Sequence, residues 1–177
     1  MYGDPPRSKR FPRVPPDRRI YAFVIDFAIA WLLGSLAANW FAQGLIFFVV
    51  WGISRVVAVA QNQGQSLGAW LMDIKVLSLR FRRVPDLVTL SRREAIVGGC
   101  ATLAMLGLNQ FPINAFTTLL LIAPLCGDCG VAFADEDYNQ AFHDRFADTV
   151  IVPTKRGFSL DLRIRRLVDE LTDRMRK

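Results

Sequence analysis

The stretch IYAFVIDFAIAWLLGSLAA, residues 20–38, carries a single charge, Asp26, in an otherwise apolar run. Three more such stretches follow, at residues 44–60, 95–110 and 113–134. A bilayer-spanning helix needs roughly 17–25 mostly apolar residues, so each stretch reaches or nearly reaches that length. The two short connectors Asn39–Gln43 and Phe111–Pro112 contain no Lys or Arg. Almost all of the 22 basic residues lie in the other three polar segments. This is the positive-inside pattern of two helical hairpins with both termini in the cytoplasm.

The sequence therefore predicts an all-α membrane protein with transmembrane helices at about 18–38, 44–60, 94–110 and 113–134. Ser35 and Ala37 would pass as a signal-peptide cleavage site, but Asp26 interrupts the apolar region and a second span follows at once. The bulk composition agrees with a membrane protein: 52% of the 177 residues are hydrophobic and the mean hydropathy is +0.25. A net charge of +6 and a pI near 9.7 would also suit a nucleic-acid binder. The basic residues flank apolar spans instead, which favours anionic lipid headgroups as partner and excludes nucleic acid.

Outside the spans, residues 1–17 hold Pro5, Pro6, Pro12, Pro15 and Pro16 among Arg7, Lys9, Arg10 and Arg13. Such a segment reads as a disordered cationic tail. Asp17 is a candidate N-cap for the first helix. In the polar segment 61–94, Ile74 to Phe81 partly alternates, Pro85-Asp86 signals a turn, and Leu87 to Leu90 follows. This predicts a small cytoplasmic β-hairpin, with Arg92 and Arg93 marking the inner end of the third helix. Asn109, Gln110, Pro112 and Asn114 divide the third helix from the fourth, and Pro124 with Cys126-Gly-Asp-Cys-Gly130 predicts an irregular end to the fourth. Residues 153–177 are expected to form a basic amphipathic helix capped at Ser159, with Leu160, Ile164, Leu167, Leu171 and Met175 on one face.

Arg19, Asp26, Gly64-Gln-Ser-Leu-Gly68 and Phe142-His-Asp-Arg145 together resemble the RDD family of small bacterial membrane proteins. The resemblance covers about residues 18–152 and includes the stretch Thr149 to Val152. It assigns the family's signature Arg and two Asp to Arg19, Asp26 and Asp144. It also implies a bacterial inner membrane, or a thylakoid membrane in a photosynthetic source, and a link to transport, including sodium–proton exchange. The chain departs from the family at Ser66, where Thr is usual, at Ala69, where Lys is usual, and at Asp73, where Gly is common.

Placing charges along the helices puts Asp26 roughly 10 Å from the inner end of the first. Arg55 and Asp128 fall at similar depths on the second and fourth. Charges there cost roughly 2.5–3.5 kcal/mol each unless paired or wet, so an intramembrane cluster of Asp26, Arg55 and Asp128 is expected. One reading is a structural ion pair, Asp26 with Arg55. The other uses the surplus carboxylate to hold a proton or small cation. Arg19 and Asp144 are expected to close a second ion pair near the inner surface.

Other motifs weigh less. Gly64-Gln65-Ser66-Leu67-Gly68 matches G-x-S-x-G, but that motif needs a strand-to-helix elbow in an α/β sheet. Gly64 and Gly68 instead suggest a tight structural turn near the headgroups. Cys126 and Cys129, with one His in the whole chain, fall short of a structural zinc set. Gly98-Gly99 with Ala95, Ala101 and Ala104 suits close helix packing. No catalytic residue, cofactor or metal is expected. Two classes remain: a non-enzymatic accessory, scaffold or assembly factor working with a membrane-protein partner or a second copy of itself, or a small cation or proton transporter using Asp26 and Asp128.

Overall fold

The computed structural model describes residues 11–135, 138–154, 156, 159–160 and 162–163. Most of the basic tail 1–17 and of the expected C-terminal helix 153–177 lies outside these residues.

Within them the chain is mostly helical, with one small sheet. The long helices are α1 (Pro16–Gly34), α2 (Trp40–Gly52), α5 (Leu87–Gln110) and α6 (Ala115–Ala134). α2 continues through a π-helical turn (Ile53–Val57) into α3 (Ala58–Gln61), making one helix over Trp40–Gln61. Short helices α4 (Leu67–Leu71) and α7 (Phe142–Phe146) flank strands β1 (Ile74–Ser78) and β2 (Thr149–Pro153).

Two of these helices, Trp40–Gln61 and Ala115–Ala134, are long and apolar enough to cross a membrane. Only 28% and 11% of their most apolar stretches are buried inside the protein, whereas the core helix of a soluble domain would be mostly covered. The other two long helices are less apolar. α1 carries Asp17, Arg18, Arg19 and Asp26, and α5 carries Arg93, Glu94, Asn109 and Gln110.

The helix ends differ from expectation in several places, each for a local reason. Pro16 and Asp17 lie in the first turn of α1 and Pro15 is its N-cap, so Asp17 is not the cap. Proline suits the first turn because the amide it lacks would go unbonded there. Asn39 does not end the first helix but starts the next, its side chain accepting from the Ala42 amide. α5 begins at Leu87, with Asp86 at the N-cap in an extended conformation and the Thr89 hydroxyl donating to its carboxylate. That contact holds the exposed Asp86 carboxyl below its ordinary pKa. α6 runs through Pro124 without breaking. Its N-cap Asn114 accepts from the amides of Phe116 and Thr117.

The largest correction concerns the sheet. Leu87 to Leu90 is helical, so no local hairpin forms. β1 pairs antiparallel with β2 instead, in the register Ile74↔Pro153 to Ser78↔Thr149. Ile74 and Val76 are buried on one face of this pair, and Val150 and Val152 on the other.

α2 lies beside both α1 and α5, and α5 packs on α6. The core between them consists of Ala30, Phe47, Trp51, Val97, Ala101 and Met105. Small residues permit the close approaches. Trp51 covers Gly98, where an added Cβ would meet the ring at 2.7 Å. Gly99, the other half of the expected pair, faces open space, and Ala95 is exposed.

Candidate functional site

Asp26 is 2% exposed in the middle of α1 and has its oxygens fully engaged. Oδ2 accepts from Arg55 Nη1 at 2.7 Å and from Ser66 Oγ at 2.6 Å, and Oδ1 accepts from the Gly68 amide at 2.8 Å. The expected pair of Asp26 with Arg55 is therefore present, and Ser66 and Gly68 complete it. The Gly64–Gly68 segment forms the tight turn the sequence suggested, but it lies against α1. A Cβ on Gly68 would stand 2.1 Å from the Ala22 carbonyl oxygen. Gly64 adopts φ +88, and its amide and carbonyl bond Val59 and Val76. After α4, Asp73 has φ 59, a left-handed conformation that explains why glycine suits this position.

Arg55 sits in the π-helical turn just after Gly52, one of the irregularities that helices often carry at functional sites. From there the guanidinium also donates to Glu94 Oε2 at 3.0 Å and lies over the Trp51 ring at 4.9 Å. Trp51 Nε1 donates to the same Glu94 oxygen at 3.0 Å. Glu94 is the partner that the sequence reading missed. It follows Arg92-Arg93, a pair whose sequence reads as the inner end of the helix. Arg93, Glu94, Val97, Gly98, Ala101, Ala104 and Met105 nevertheless make one buried stripe on α5, and extending the helical period back from Ala101 reaches the charged pair.

Arg93 carries the network onward. It contacts Glu94, donates from Nε to Asp144 Oδ1 at 2.8 Å, and approaches His143 Nε2 with Nη2 at 3.3 Å. Asp144 is fully buried at the N-terminal end of α7 and also receives Arg19 Nη2 at 2.6 Å. The expected Arg19–Asp144 pair thus forms, with Arg93 as a third member. Burial alone would raise the Asp144 pKa, but the guanidiniums of Arg93 and Arg19 outweigh it and hold the carboxyl far below the usual range.

Asp128 does not join Asp26 and Arg55. α7 folds back under α6, so Asp128 Oδ1 accepts the His143 amide at 2.9 Å and Oδ2 meets the His143 ring at Nδ1. An arginine can only donate, so Arg93 assigns the acceptor role to Nε2 and the ring proton to Nδ1, facing Asp128. Asp26, Glu94, Asp128 and Asp144 stand against Arg19, Arg55 and Arg93, one carboxylate more than guanidinium, with His143 between the surplus acid and Arg93. Among the described residues, no group of three or more His, Cys, Asp or Glu is placed to hold a metal ion.

A second polar cluster lies at the other end of the bundle and is neutral. Trp31 Nε1 donates to Asn109 Oδ1 at 3.0 Å, and Asn109 Nδ2 donates to Gln43 Oε1 at 3.1 Å. The apolar core of Ala30, Phe47, Val97 and Ala101 separates the two clusters.

Neither a curated protein nor a solved structure matches the chain. The family model of the RDD family matches residues 13–148, a span that contains Arg19, Asp26, Asp144 and the whole ion network. The chain is a membrane-type protein belonging to the RDD family.

Proposed function

We propose that the chain crosses a bilayer four times, with the sheet and both termini on the cytoplasmic side, and serves as a non-enzymatic accessory subunit, scaffold or assembly factor of a larger membrane complex. The observation that carries this reading is the self-contained ion network. Each carboxylate of the network faces a cation or the His143 ring, and an apolar layer divides the network from the neutral cluster of Trp31, Gln43 and Asn109. Such a network fastens α1, the π-helical turn after α2, α4, α5, α6 and α7 to one another and supplies no polar track through the bundle. Asp26 of α1 and Arg93 and Glu94 of α5 turn inward, which leaves the middle of each outer face one a bilayer tolerates. The test is purification of the tagged protein in mild detergent, with its stoichiometric companions identified and its orientation mapped by labelling of single cysteines. Recovery of the chain alone, with sodium or proton flux when it is reconstituted in liposomes, would overturn the accessory role.

One observation favours a transport reading as the second choice. The network holds one carboxylate more than guanidinium, and the surplus sits at Asp128–His143, where a proton or a small cation would restore balance. Flux that depends on Asp128 or His143 supports it.

A further inference from the structure

The close long-helix contacts run from α1 to α2, α2 to α5 and α5 to α6, and the space between α1 and α6 is a cavity of about 660 Å³. That volume lies within the range of about 300–1,000 Å³ typical of small-ligand sites. The wall has a consistent chemistry. Arg19, Arg55, Lys75, Arg93 and His143 line it, and among the described residues no Asp or Glu does. The acids of the ion network lie behind their arginines, so the cavity is presented with cations. The remaining wall is chiefly apolar, with Ala22 and Phe23 from α1, Leu125 and Phe133 from α6, and Ile151 from β2. Ile20 and Phe133, at 49% and 69% exposure, stand at its edges and belong to outer helix faces that are themselves apolar.

We propose that this cavity is a binding site for an anionic phospholipid, entering between α1 and α6 with its phosphate toward Arg19, Arg55 and Lys75. A free anion would be satisfied by the cations but would leave the apolar wall uncovered. A neutral lipid would cover that wall and leave Lys75, the one lining cation without an ion pair among the described residues, without a counter-charge. A phospholipid bearing net negative charge meets both demands, since guanidinium groups form strong charge-assisted bonds to phosphate oxygens. The site goes beyond the accessory reading and does not depend on it; a transporter of this structure would hold the same lipid.

Two substitutions probe the cavity without touching the ion network. Gly130 lines it, and a Cβ there meets nothing within 4 Å, so Gly130→Leu fills the space with no backbone clash. Lys75→Glu reverses one wall charge on a strand residue that is only half buried. The full chain in neutral detergent is titrated with phosphatidylglycerol or phosphatidylcholine in mixed micelles, and bound lipid is counted by native mass spectrometry. Phosphatidylglycerol is expected to be retained at one per chain, phosphatidylcholine to be lost, and inorganic phosphate not to displace the lipid. Each variant should weaken retention about tenfold or more, the loss expected for one charged contact or for a blocked site, with its thermal midpoint unchanged. Equal retention of the two lipids, displacement by inorganic phosphate, or parent-like binding by both variants overturns the proposal.

Discussion

The Gly68 amide lies 2.8 Å from Asp26 Oδ1, so the first turn of α4 is anchored to the middle of α1. The contact needs two things at once. The carboxylate must be buried, and the residue facing it must lack a side chain, because the Ala22 carbonyl already occupies the space a Cβ would take.

Gly68→Ala is therefore expected to push α4 off α1 and to destabilise the protein severely. Overpacking costs about 1–3 kcal/mol even where side chains can move aside, and here the obstacle is backbone. Gly99→Ala is the matched control, since its Cβ meets open space and alanine gains about 0.5–1 kcal/mol over glycine inside a helix. Thermal unfolding in detergent should show a large loss for the first and none for the second. Similar melting of the two variants would count against the close approach.

Arg55→Lys should fail to replace the arginine although the charge is kept. A single ammonium does not reproduce the planar fork that joins Asp26 to Glu94 while lying over Trp51. The expected loss is that of one charged hydrogen bond, about 1.5–3 kcal/mol. A lysine variant as stable as the parent would mean that only the charge matters.

Asp144 gives the pH dependence a definite sign. Its folded pKa lies below the unfolded value of about 3.9, because Arg93 and Arg19 favour the charged form despite burial. The stability this contributes is complete above the unfolded value and is lost as pH falls toward the folded one. Thermal midpoints measured downward from pH 5 should drop more steeply for the parent than for Asp144→Asn. Parallel curves would contradict the assignment.

The long-range sheet is open to direct chemical proof. Leu77 and Val150 are paired residues in the β1–β2 register. Facing residues of an antiparallel pair lie about 4.5–5.5 Å apart at Cα, within the reach of a disulfide. In a background lacking Cys100, Cys126 and Cys129, the double variant Leu77→Cys with Val150→Cys should cross-link on mild oxidation. A pairing of Ile74–Phe81 with Leu87–Leu90 would leave both thiols reduced.

Part of this site was legible from residues alone. A single acid and a single arginine, each stranded in an apolar helix, have few ways to be neutralised except by each other, and Asp26 with Arg55 follows from that cost. Arg19 with Asp144 followed from the family's signature. Asp128 lies in the same network but reaches Arg55 only through His143, Arg93 and Glu94; depth along a straight helix says nothing about α7 folding back to bring His143 beneath it. Glu94 was hidden by its neighbours, since two arginines in a row look like a membrane boundary whichever way the helix is turned. The β1–β2 pair had no local signature at all. Thr149–Val152 read as a strand, but nothing in its composition named a partner so far back in the chain.

That pairing also sets an order of events. β1 leaves the ribosome before α5 and α6, whereas its only strand partner among the described residues comes after both. Until β2 arrives, the backbone of β1 offers unmatched amides and carbonyls to any strand that will add to it. A nascent chain stopped before Thr149 thus carries an open sticky edge. β2 is the latch that closes this edge.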